Sequence, residues 1–336
     1  MADRVVLHVG LMKSGTSFLQ QVLRHNKDLL AQQGVLFPSP WKRQVQAVKD
    51  VSSDGSDGAG PWRELVEEIH SWPGTAVISM EFLGPRAPAR TKQIVEAFAP
   101  ATVEVVITVR DLARTIPAMW QETLQNRGTW TWQDYLAGVE AEDRSSPGPG
   151  RAFWNRQDAP GITETWQHAA GRDHVTVLTV PPSGAPTNLL WDRFAALVPI
   201  AGAVDLDVRT NPSLGLASLL VLRELNLRID TQDDPLTPRQ YERIVKQLLA
   251  KRGLAGRPDD PRLGYDADWV AARGERDLER LRALAPRVAG DIEELRCAPV
   301  RGADPADVSV DQQLEASLAA LTHAVTVLAR RTTSDG

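Results

Sequence analysis

The chain has almost no cysteine: Cys297 is the only one. A lone thiol excludes an internal disulfide framework and leads us to expect a reducing compartment. Long apolar runs are also missing, and no stretch reaches the ~20 residues of a membrane-spanning helix. Positive charge is not in excess: 38 Lys and Arg stand against 43 Asp and Glu, a net charge of −5. That removes the bulk electrostatic case for nucleic acid or for an anionic membrane surface. Internal repeats and low-complexity tracts are absent as well. The first residues run directly into Asp3, Arg4 and an apolar strand. We therefore expect no signal peptide and a cytoplasmic address.

What is present is a chain of 336 residues, 42% hydrophobic and 24% charged, ordinary for a soluble globular protein of one to three domains. Four apolar, β-rich runs stand out, at 5–9, 76–80, 103–109 and 174–180, with a shorter fifth at Gly34–Phe37. Helix-period segments lie near 16–33, 90–99, 112–126 and 188–198. Strands alternating with helices predict a three-layer α/β fold around a central parallel sheet. Ser52–Gly60 and Ser145–Gly150 read as surface loops. After about residue 210 the strand signals stop. Helical patterns follow at 214–228, 238–252, 266–285 and 311–331, with a capping box and an N1 proline at Thr237-Pro238-Arg239-Gln240. In the last segment Leu314, Leu318, Leu321, Val325 and Leu328 share one face. That stripe either packs within the chain, the preferred reading, or pairs two subunits. The division expected is an α/β core over 1–215 and a helical extension over 216–336, packed on the core or mediating dimerisation.

Open α/β sheets bind ligands beyond the carboxyl ends of their strands, so the residues that follow each strand carry the argument. After 5–9 comes Gly10-Leu11-Met12-Lys13-Ser14-Gly15-Thr16-Ser17 and then a helix beginning near Phe18. Such a junction offers free backbone N–H groups and the positive end of a helix dipole to an anion. A Walker A loop needs Lys after its second glycine. Here Thr16 holds that place and the lysine lies inside the loop, at Lys13. After 76–80 comes Glu81, and after 103–109 come Arg110 and Asp111. An anion cradle, a carboxylate and a guanidinium would thus converge on one crevice.

The Lys-Ser-Gly-Thr-Ser loop followed by Phe18 resembles the 5′-phosphosulfate loop of the P-loop sulfotransferases that use 3′-phosphoadenosine-5′-phosphosulfate (PAPS), in a divergent bacterial branch. The strand ending in Arg110-Asp111 is similar to the 3′-phosphate motif of that family. The resemblance covers roughly residues 4–215. It implies PAPS as donor, 3′,5′-adenosine bisphosphate as product and no metal. It implies that Lys13 stabilises the leaving phosphate oxygen and that Ser14, Gly15, Thr16 and Ser17 hold the 5′-phosphate. Arg110 would grip the 3′-phosphate, and Glu81, following its strand as in carbohydrate- and tyrosine-modifying branches, would be the base. His8 is the competing base, though a strand histidine there is otherwise a core residue. Phe18 stands where relatives carry an adenine-stacking tryptophan, with core packing as the alternative. The sequence departs from the family at Ala118, where a serine usually contacts the 3′-phosphate; Arg209 and Ser213 are the candidates to replace it.

Six tryptophans between 120 and 191 would line an acceptor pocket or fill the core. The acceptor expected is a small molecule or glycan bearing a hydroxyl or amine. Two competing readings are a P-loop small-molecule kinase and a non-catalytic nucleotide-binding scaffold of the same fold.

Overall fold

The computed structural model describes residues 2–38, 40–53, 58–208 and 213–332. Contacts divide the chain into two units. The first comprises 1–112, 154–209 and 271–297, and the second 113–153, 210–270 and 298–336.

The first unit holds a six-stranded sheet: β1 (Ala2–His8), β2 (Val35–Leu36), β3 (Gly74–Ser79), β4 (Thr102–Val109), β5 (Val175–Thr179) and β6 (Arg287–Ala289). The order is β2-β3-β1-β4-β5-β6, and every pairing is parallel. Side chains alternate across it. Val5, Leu7 and Val9, with Ile78 and Val105, enter one core against the helices Trp41–Ser52, Pro61–Ser71 and Ala159–Ala170. Val6, Val77 and Val106 face the other way, against α1 (Thr16–His25) and the helix Leu189–Ala195. Both faces are apolar because both are covered, which is why the strands read as near-continuous hydrophobic runs. The chain leaves β1 toward β2 and β4 toward β5, in opposite directions. The carboxyl ends of β1 and β4 therefore form the topological switch point, where such sheets open a crevice.

The three-layer α/β expectation holds. Three details differ. The segment 16–33 forms two helices, Thr16–His25 and Lys27–Gln32. The break is at Asn26, whose amide donates to the Val22 and Asp205 carbonyls at 2.9 and 2.8 Å. Strand signals do not stop at 210: β6 adds three residues to the edge of the sheet beside β5. Within the expected loop Ser52–Gly60, residues 54–57 lie outside the described residues.

The second unit is helical, with helices over Trp132–Glu140, Leu216–Asp230 and Val310–Thr332 and an i→i+5 π-helix over Glu242–Leu254. The capping box at Thr237 forms as expected. Its aromatic core joins Trp120 to Trp132 and Trp132 to Tyr265, each pair at 5.2 Å between centroids. Buried Asn226 donates to the Leu124 and Gly128 carbonyls, each at 2.8 Å, and accepts the Tyr241 hydroxyl at 2.6 Å. Among the described residues no helix is long and apolar enough to cross a membrane.

Candidate functional site

Past β1 the chain continues alongside β4: the Val9 amide donates to the Val106 carbonyl at 2.9 Å and Leu11 to Thr108 at 3.0 Å. It then turns through Lys13, whose φ of 62° is left-handed, and Gly15, whose φ is 82°. Glycine is required twice here. A Cβ at Gly10 would lie 2.1 Å from the Thr108 hydroxyl, and one at Gly15 would lie 2.4 Å from Leu190. Lysine has no such exemption. A non-glycine residue in this region costs about 1 kcal/mol or more, and such strain concentrates at functional sites.

Three consecutive loop carbonyls are engaged by side chains. Ser14 Oγ donates to Leu11 O, Gln157 Nε2 to Met12 O at 3.0 Å, and Arg110 Nη1 to Lys13 O at 3.4 Å. With the carbonyls tied down, α1 begins at Thr16 with no side-chain cap and no acidic residue in its first turn. An uncapped first turn leaves N–H donors and the positive dipole end for an anion. Ser14 and Thr16 are buried, and Ser17 is exposed.

Beneath the loop runs a buried polar chain across three strands. His8 Nδ1 bonds Ser79 Oγ at 2.7 Å and His8 Nε2 bonds Thr108 Oγ1 at 3.2 Å. Thr108 Oγ1 in turn bonds Ser14 Oγ at 2.7 Å. Burial drives the His8 pKa down to about 3, so the ring is neutral. This histidine is a core residue that ties β3, β1 and β4 to the loop.

Glu81 opens a short 3₁₀ turn directly after β3. Gln20, one turn into α1, donates to the Glu81 carboxylate at 2.8 Å and to the Ser79 carbonyl at 3.2 Å. The helix that begins at the Lys13 loop therefore also holds the carboxylate. Arg110 and Asp111 follow β4. The first unit thus brings Lys13, Ser14, Gly15, Thr16 and Ser17 together with Arg110, and joins Glu81 to the same helix. Phe18 is half-buried and packs against the core on the α1 face.

Arg209 lies outside the described residues. Ser213 belongs to the second unit, where its carbonyl accepts the Gly256 amide at 3.3 Å. Ala118 belongs to that unit too. Of the six tryptophans expected to line a pocket or fill the core, Trp120, Trp132, Trp154, Trp166 and Trp191 are buried in the core. Sequence reasoning missed Gln20 and Thr108, and took Gln157, within Phe153–Asp158, for a residue lining the acceptor pocket rather than one bonding the loop. Only Gln20 left a local signal, one helical turn after Thr16.

The fold and site together define a parallel α/β protein with a strand–loop–helix junction, uncapped by any side chain, at its switch point. No family model matches the chain, and no curated protein matches it. Among solved structures, it is similar to a sulfotransferase from Alicyclobacillus acidocaldarius. That alignment has a TM-score of 0.42 and 16% identity, and covers 62% of this chain and 86% of that one.

Proposed function

We propose that this protein is a PAPS-dependent sulfotransferase acting on a hydroxyl or amine of a small-molecule or glycan acceptor. The observation that carries the reading is the loop itself. A strained lysine sits inside it rather than after its second glycine, and Arg110 from the neighbouring strand end bonds that lysine's carbonyl. A lysine in this place suits a reaction that develops charge on a leaving phosphate oxygen. The residues fit the donor: backbone amides over Ser14–Ser17 with the Thr16 and Ser17 hydroxyls for one phosphate, and a guanidinium fork at Arg110 for another.

When bound, the donor supplies an activated sulfuryl group and departs as 3′,5′-adenosine bisphosphate. Glu81 takes the acceptor proton as the new S–O or S–N bond forms. Lys13 neutralises the phosphate oxygen released as the old S–O bond breaks. The loop amides hold the 5′-phosphate, and Arg110 holds the 3′-phosphate. Phe18 stacks on the adenine. A cytoplasmic address accords with this chemistry and with the single thiol.

The test is a thermal-shift titration with 3′,5′-adenosine bisphosphate, against 5′-AMP and ATP with magnesium, on the protein and on Arg110→Ala. Saturation at a hundred times Kd adds about 2.7 kcal/mol, a shift of several degrees. We expect a shift with the bisphosphate that Arg110→Ala loses. A shift with ATP and magnesium alone would replace this reading with a kinase. No shift with any nucleotide would leave a scaffold.

A further inference from the structure

The leucine stripe of the last helix, expected to pack within its own chain, is exposed instead. The helix that reaches the Lys13 loop is an earlier one, Asp268–Leu284, whose residues from Ala271 onward belong to the first unit. Arg273, Asp277 and Arg280 recur at spacings of four and three and so share one face. Arg273 and Asp277 are buried. Arg273 Nε donates to the Asp277 carboxylate at 3.0 Å, and the guanidinium carbon lies 3.9 Å from the centre of the Trp154 ring. Arg280 pairs with Asp158 at 3.4 Å. This face therefore grips the segment Trp154–Asp158 at both ends.

Within that segment Gln157 is buried and donates to the Met12 carbonyl at 3.0 Å. It shares a hollow of about 20 Å³ with Leu11, Arg110, Gly274 and Asp277. That is room for about one water, so the helix buttresses the loop here and leaves no space for a ligand between them. The Met12 carbonyl belongs to the peptide plane that precedes Lys13. The Lys13 carbonyl, which Arg110 engages at 3.4 Å, belongs to the plane that follows it. Two such planes are related only by the rotations at the Lys13 Cα, so fixing both fixes Lys13 at its φ of 62°. Left-handed backbone is costly for lysine. Without these bonds the loop would relax toward negative φ and carry the ammonium group elsewhere.

We propose that Gln157 is a positioning residue that holds Lys13 in its left-handed conformation, and that the Arg273–Asp277 pair holds Gln157 in place through Trp154. The role in catalysis rests on the reading of Lys13 as the group facing the leaving phosphate. A buried ion pair adds little stability, because its desolvation cost rivals its attraction. What it adds here is direction. The guanidinium must lie over the indole while it meets Asp277, which fixes Trp154 and, three residues further along the same helix, Gln157.

The experiment is amide hydrogen exchange on the full chain, beside titration with 3′,5′-adenosine bisphosphate. In Gln157→Leu, exchange over residues 10–19 should quicken about tenfold or more while residues 102–109 of β4 keep their protection. The double variant Arg273→Met with Asp277→Leu removes both charges and keeps the space filled, so it should quicken the same loop with an unchanged melting curve. Bisphosphate affinity should fall roughly fivefold or more in each, as the loop loses its preorganisation. The Lys13→Gly chain separates holding from mere packing, because glycine keeps a positive φ without help. There Gln157→Leu should move loop exchange and affinity by less than about threefold. Unchanged loop exchange in Gln157→Leu, or an equal effect with and without Lys13→Gly, would overturn the role of Gln157. A quiet loop in the double variant beside a quickened one in Gln157→Leu would overturn the part given to Arg273. No bisphosphate binding by the unaltered chain would overturn the sulfotransferase reading, and loop exchange would still decide whether Gln157 holds Lys13.

Discussion

Gln20 Nε2 donates to the Glu81 carboxylate at 2.8 Å, from one turn inside the helix whose first residue closes the Gly10–Gly15 loop. The same amide reaches the Ser79 carbonyl at 3.2 Å, so its orientation is fixed from two sides. Gln20 is thus a positioning residue for the proposed base. Glu81→Gln should lower turnover by roughly 10²-fold or more, the scale of a lost general base, and leave bisphosphate affinity unchanged. Gln20→Leu removes a hydrogen bond to a charged group, worth about 1.5–3 kcal/mol, and should cost roughly tenfold or more in kcat/KM. Steady-state kinetics beside bisphosphate titration separates the two effects. Loss of nucleotide affinity in Glu81→Gln would remove Glu81 from the base role.

Lys13 offers a second test because its backbone and its side chain make separable demands. Its φ of 62° suits glycine and strains any L-residue. Lys13→Gly and Lys13→Ala both delete the ammonium group, and only the glycine relieves the backbone. We expect both variants to lose at least ~10²-fold in kcat, as for a single transition-state donor. Lys13→Gly should be more stable than Lys13→Ala by about 1 kcal/mol in urea unfolding. Equal stability of the two would show that the loop carries no strain at this residue.

His8 makes a prediction about acid. Burial lowers its pKa from 6.5 to about 3, so the native state resists a proton that the unfolded chain accepts. Between those values the unfolded state binds more protons, and stability falls as pH falls. Its contribution is complete above pH 6.5 and drops by about 1.4 kcal/mol for each unit below it. Chemical denaturation at pH 7 and pH 5 should therefore show a component of about 2 kcal/mol that His8→Asn lacks. The variant should start from a lower baseline, since Ser79 and Thr108 lose their partner. Identical pH slopes in the two proteins would contradict the neutral, buried ring.

The legible parts were the local ones. The β1 run, the glycine spacing and the displaced Lys13 lie within a dozen residues, and the strand–loop–helix followed from them. Arg110 and Glu81 were legible because a parallel sheet puts all strand ends on one side. Gln157 stood out only as part of a segment expected to line the acceptor pocket; its bond to the loop, from 145 residues away, left no local trace. Asn26 did not look like a helix break, because its partner Asp205 is 179 residues distant. β6 is three residues long with Val288 exposed, and only the open edge of β5 makes it a strand. The tryptophans were ambiguous for a different reason: pocket wall and core ask for the same residue, and burial alone decides between them.

Asp260 supplies a test in the second unit that is independent of any activity. The helix Leu216–Asp230 has Gly215 at its N-cap and no capping side chain of its own. Its first amides are satisfied from elsewhere in the chain. Asp260 accepts the Ala217 amide at 2.8 Å and the Ser218 amide at 3.0 Å, and Pro261 O accepts the Leu216 amide at 2.7 Å. The Ser218 hydroxyl also donates to Asp260. Gly215 leaves room for this, since a Cβ there would lie 2.1 Å from the Asp260 carboxyl carbon. A buried carboxylate that accepts three donors at a positive helix end stabilises by capping and by the dipole together. Asp260→Ala strands those donors and should cost about 2–3 kcal/mol. Asp260→Asn keeps acceptor geometry on one oxygen and should cost less. Gly215→Ala should destabilise as well, by displacing the carboxylate. Amide hydrogen exchange localises the effect: protection should fall over residues 216–222 in Asp260→Ala while β1 and β4 keep theirs. Uniform loss across both units would mean that Asp260 supports the whole chain rather than this helix end.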